Sequence, residues 1–86
     1  MAVYIIDKGN ADIAVSYARM DESPKILLIQ DGLYLSPDMF SDLKVFVFSE
    51  EVQERGLEDI LPQSFERIDY SEGIDIMIDE KIFSFC

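Results

Sequence analysis

The side chains able to do chemistry in this sequence are few, and most are acids. There is one thiol, Cys86, and no histidine. Imidazole bases, imidazole metal ligands and Ser/His or Cys/His nucleophilic pairs therefore cannot be assembled from the chain. Cys86 is the only candidate nucleophile or sulfur carrier. It sits beside a terminal carboxylate in a strongly acidic chain, and nearby negative charge raises a thiol pKa and lowers its thiolate character. The expected role is a passive terminal residue; the functional alternative is a mobile persulfide-carrying tail. Asp7 and Asp31 follow two strand-like runs and are the one carboxylate pair placed to hold Mg²⁺ for phosphoryl chemistry. No Asp-x-Asp pair or partner Lys supports them, and a strand-end Asp ordinarily caps or turns the chain, so neither a metal nor a cofactor is expected. The remaining candidates are loop and interface residues: Gln30, Asp31, Gly32 and Tyr34 in one turn, Arg55 and Gly56 in a second, Asp69 and Tyr70 in a third.

Those three turns need elements to hold them. Ala2 to Ile6 (AVYII), Lys25 to Gln30 (KILLIQ) and Lys44 to Phe48 (KVFVF) are short runs rich in Val, Ile and aromatics with no polar alternation. Strands covered on both faces read this way, which points to a parallel sheet between helix layers. Phe65 to Tyr70 (FERIDY) alternates more and suits an edge. Between the strands, Asn10 is placed to cap a helix over Ala11 to Met20. There Ala11, Ala14, Val15 and Ala18 make one apolar stripe and Ile13, Tyr17 and Met20 a second, so burial on both sides is expected. Asp31-Gly32 and Ser36-Pro37 mark a tight, partly helical second crossover. Ser49 is expected to cap a helix opening Glu50-Glu51-Val52 and closed by Gly56 in a left-handed conformation. Ser71 to Lys81 fits both a strand alternation and a helical stripe; its first-turn acid and last-turn Lys favour helix. The tail Ile82 to Cys86 adds a short final strand or docks elsewhere. The alternation of strands and helices predicts an α/β fold, three layers α/β/α, with a small, mostly parallel sheet of four to five strands in a single domain over residues 1–86.

Composition narrows the function. Eighteen Asp and Glu against seven Lys and Arg give a formal charge of −11 over 86 residues. Phosphate backbones and anionic lipid are bound by basic groups, so direct nucleic-acid or membrane-surface binding is not expected. The apolar runs span at most six residues against the roughly 20 of a bilayer-crossing helix, and a lone Cys forms no internal disulfide, which together predict a cytoplasmic location. A domain this small cannot hide every aromatic behind three short helices, so part of its apolar surface is expected to meet another subunit.

In order along the chain, ILLIQDGLY (Ile26 to Tyr34), KVFVFSEEVQERGL (Lys44 to Leu57) and RIDYSEGIDIM (Arg67 to Met77) resemble successive blocks of the DsrH/TusB family, part of the DsrE/DsrF/DsrH sulfur-relay superfamily. The family pattern is a Leu-rich strand ending in Gln-Asp-Gly or Gln-Asn-Gly, a Lys-Val-Tyr-Ala-type strand leading into an acidic helix that ends Ala-Arg-Gly, and an Ile-Asp-Tyr strand end before the last helix. The resemblance covers about residues 26 to 86. It implies a DsrEFH-like fold and a non-catalytic subunit that assembles with DsrE/TusD-like and DsrF/TusC-like partners into a hetero-oligomer, which passes persulfide sulfur towards 2-thiouridine at the tRNA wobble position. The sulfur-carrying Cys of such assemblies is typically on the DsrE/TusD-type subunit. By the resemblance, Gln30, Asp31 and Gly32 shape the loop beside the partner's sulfur site, Arg55 and Gly56 fix a helix end, and Asp69 and Tyr70 form the turn into the last helix. Two alternatives stand beside it: a homo-oligomeric DsrH-like protein of sulfur metabolism, and a persulfide carrier acting through Cys86.

Overall fold

A computed structural model describes residues 2–40, 42–78 and 80–85; Cys86 lies outside the described residues. Five strands, β1 (Ala2–Ile6), β2 (Pro24–Leu28), β3 (Lys44–Phe48), β4 (Glu66–Ile68) and β5 (Lys81–Phe85), form one sheet in the order β4-β3-β2-β1-β5. Every pairing is parallel, with Tyr4 opposite Ile26 and Phe83, and Leu27 opposite Phe46. The helices are α1 (Ala11–Ala18), α2 (Ser49–Glu54) and α3 (Tyr70–Met77), and 3-10 turns occupy Lys8–Asn10, Gln30–Tyr34 and Pro37–Phe40. The fold is the α/β sandwich expected from the sequence, with the tail supplying the fifth strand and the alternating FERIDY segment supplying an edge strand.

Chain direction decides which face each helix covers. The first three crossovers step the same way along the sheet, from β1 to β4; the last runs back from β4 to β5 beside β1. Parallel crossovers of a single hand therefore put α1, the two central 3-10 turns and α2 on one face and α3 on the other. The packing agrees. Tyr4, Ile6, Ile26, Leu28, Val45 and Val47 pack with Ala11, Ala14, Val15, Ala18, Leu33, Phe40 and Val52 on the first face. Val3, Leu27, Phe46, Phe48 and Ile68 pack with Ile76 and Met77 on the second.

Several local expectations are corrected. The Ile13, Tyr17 and Met20 stripe of α1 is exposed rather than buried, because α1 rests on the sheet along its Ala11–Ala14–Val15–Ala18 side and no further layer lies above it. Asn10 makes no side-chain cap; Asp7 caps the preceding turn instead, its Oδ1 accepting the Lys8 N–H at 2.7 Å. The second crossover is partly helical, as expected: its described residues hold two 3-10 turns, the second begun by Pro37. Helix α2 starts at Ser49 itself, so that hydroxyl is free of cap duty. Helix α3 starts one residue before Ser71 and ends at Met77, and Lys81 belongs to β5.

Candidate functional site

Neighbouring parallel strands whose following helices leave on opposite faces open a crevice beyond their carboxyl ends, which is where ligands of open α/β sheets sit. Here those strands are β3, followed by α2 on the first face, and β4, followed by α3 on the second. The rim of that crevice is built from the ends of β2, β3 and β4.

At the end of β2 the chain turns through Gln30, which adopts φ +48°, the one described non-glycine residue in the left-handed region. This places its N–H 3.2 Å from Glu51 Oε1, at the start of α2. A glycine in a tight turn is the ordinary source of backbone freedom, yet here Gln30 and not Gly32 takes the left-handed conformation. Gly32 is needed for another reason: a Cβ there would stand 2.6 Å from the Ile6 carbonyl oxygen, so the turn sits against the end of β1 with no room for a side chain. Tyr34 leaves the same turn exposed to solvent.

At the end of β3, Ser49 Oγ lies 2.9 Å from Glu50 Oε1 and 3.3 Å from the Ile68 carbonyl oxygen, so its single proton serves one acceptor at a time and ties the start of α2 to the end of β4. Helix α2 closes at Arg55, and Gly56 takes φ +65°, the left-handed close that the sequence predicts. The Arg55 guanidinium is 3.8 Å from Glu54 Oε2.

At the end of β4, Asp69 caps α3 in a reciprocal box: its Oδ1 accepts the Glu72 N–H at 2.7 Å while Glu72 Oε1 accepts the Asp69 N–H at 3.3 Å. Tyr70 follows, half exposed, with its ring centroid 4.7 Å from that of Phe48. Partial burial raises its phenol pKa, and the Glu51, Glu50 and Glu54 carboxylates raise it further against the opposing charge of Arg55. At neutral pH Tyr70 is thus a hydroxyl donor, not a phenolate nucleophile.

Gln30, Asp69 and Tyr70 accordingly lie together at one end of the sheet, with Arg55 at the far end of α2, and they are joined by residues assigned from the sequence only to capping or core duties. Ser49 bridges α2 to β4, Glu51 holds the Gln30 turn, and Phe48 carries Tyr70. Gly73 was missed as well: a Cβ there would meet Phe48 Cε1 at 2.6 Å. A glycine inside a helical pattern was its available signal, since that residue weakens a helix unless close packing requires it. Asp7 and Asp31 lie on adjoining turns through the Gly32 contact, yet among the described residues no three Asp, Glu or Cys groups gather as metal ligands. Nor is any polar or charged residue buried among those described. The site is an acidic, aromatic surface. Scanned against protein-family models and searched against curated proteins, the chain finds no match. Among the described residues no helix is long and apolar enough to cross a membrane.

Proposed function

We propose that this chain is a non-catalytic interaction subunit of a cytoplasmic sulfur-relay assembly of the DsrH/TusB kind, serving tRNA wobble-uridine 2-thiolation beside DsrE/TusD-like and DsrF/TusC-like subunits. One observation carries the reading: the three blocks that resemble that family meet at one end of the sheet. The Gln30-Asp31-Gly32 turn, the first turn of α2 and the Asp69-Tyr70 turn form a single rim there. Adjacent parallel strands bring these ends together in any case; what supports the reading is that the contacts joining them, Gln30 to Glu51 and Ser49 to Ile68, each link two of the three blocks. The rim's chemistry fits a contact role. Its carboxylates outnumber its one guanidinium, Arg55, its phenol is protonated at neutral pH, and its apolar element, Tyr70 on Phe48, offers contact area.

Native mass spectrometry of the chain alone, then mixed with a DsrE-type and a DsrF-type subunit, tests this reading. A mixed oligomer of defined stoichiometry is the expected result. A monomer or homo-oligomer indifferent to both subunits would overturn it.

A further inference from the structure

Among the described residues α3 is the only helix on its face of the sheet, and it carries two apolar stripes. Gly73, Ile76 and Met77 turn inward and pack on Phe46, Phe48 and Ile68. Tyr70, Ile74 and Ile78, the last the C-cap of α3, recur at i, i+4 and i+8 and are exposed by 50 %, 58 % and 67 %, Tyr70 with its ring also resting on Phe48. Three large apolar side chains in register on one helix make a ridge of the kind that fits the groove of another helix.

Charge selects the occupant. The Tyr70 end of the ridge lies in the field of Glu50, Glu51 and Glu54, and Glu72 and Asp75 project from α3 itself into solvent. Of the nearby cations, Arg55 is opposed by Glu54, Lys25 is held 2.8 Å from Glu80 Oε1, and Lys44 lies over the Phe46 ring at 5.3 Å in the groove lined by Glu66, Glu72 and Asp75, so acids outnumber bases beside α3. A second copy would bring −11 against −11 and lay the same carboxylates along the same ridge, and an anionic polymer or lipid is repelled for the same reason. What complements an apolar ridge bordered by acids is a protein helix whose own apolar stripe is bordered by Lys and Arg. We propose that the Tyr70, Ile74 and Ile78 ridge of α3 is the docking face for such a helix of a partner protein. This deepens, and rests on, the reading of the chain as an interaction subunit.

The test titrates the isotope-labelled chain with a synthetic amphipathic helical peptide of Leu and Lys, with a Leu and Glu peptide of equal length as control. Amide shift changes should be confined to residues 70–78 and 49–55. Affinity should fall about tenfold between roughly 0.05 and 0.5 M salt. Ile74→Asp, and separately Ile78→Asp, should weaken binding by about tenfold or more while leaving the fold intact, since both side chains are exposed. Shift changes elsewhere, equal binding of the acidic peptide, or indifference to both substitutions would overturn the proposal. The same variants separate it from the sulfur-relay reading. If Ile74→Asp assembles with the DsrE-type and DsrF-type subunits as well as the parent does, the reading survives and the docking face fails. If the parent takes the Leu and Lys peptide on α3 but ignores those subunits, the docking face stands and the reading fails.

Discussion

The two faces of the sheet are built to different standards. On one, α1, the central 3-10 turns and α2 enclose seventeen buried side chains among the described residues, Phe40 and Leu33 among them. On the other, α3 alone covers five. The chain has four crossovers and sends three of them the same way, so the second face receives a single helix of two turns. One face therefore supplies most of the apolar burial that stabilises the fold, while both carry exposed apolar stripes, Ile13, Tyr17 and Met20 outside α1 and Tyr70, Ile74 and Ile78 along α3. The strand-end rim lies where the two faces part, between α2 and α3.

Substitutions can break this comparison. Phe40 is fully buried on the thick face, its ring edge-on to Phe65 at 6.3 Å, and Phe40→Ala should cost about 3–5 kcal/mol in denaturant unfolding. A loss below about 1 kcal/mol would mean that face is not the main core. On the thin face Gly73→Ala forces a methyl against the Phe48 ring, a cost of about 1–3 kcal/mol that better helix propensity offsets by roughly 1 kcal/mol. The net loss should be smaller than at Phe40 and should appear as altered shifts of Phe48 and Tyr70. Asp69→Ala removes the α3 cap for about 1 kcal/mol, and Asp69→Asn should recover most of it.

The smallest effect at neutral pH concerns Tyr4, which is buried beside β5, stacked on Phe83, and donates its hydroxyl to Asp21 Oδ2 at 3.2 Å. Burial, then the Asp21 charge and hydrogen bond, raise its pKa. With the folded value above the unfolded one, its contribution is fully present below pH of about 10 and is lost as pH rises through the folded value. Urea midpoints should hold up to about pH 9 and fall beyond about pH 10, and Tyr4→Phe should flatten part of that decline, Tyr70 sharing the same direction of shift.

The sheet was legible because its strands are unbroken apolar runs, and a run with no polar alternation is informative about burial on both faces. The unequal thickness of those faces was not, since it follows from the order in which strands are laid down, which no local pattern carries. Ile13, Tyr17 and Met20 show the consequence: their spacing gives a second stripe but is silent on whether anything covers it. The rim was half legible. Gly56 and the Asp69 turn follow from local capping chemistry. The left-handed Gln30, the Ser49 bridge to Ile68 and the hold of Glu51 on the Gln30 turn depend on which strand ends become neighbours.

Hydrogen exchange of the chain, free and mixed with the DsrE-type and DsrF-type subunits, tests the division of labour most directly. The account predicts that in the free chain the amides of β1 to β3 exchange slowest and those of α3 fastest among the helices, and that assembly slows α3 and the strand-end rim while leaving α1 unchanged. Equal protection of α1 and α3 in the free chain, with no gain at α3 on mixing, would contradict it.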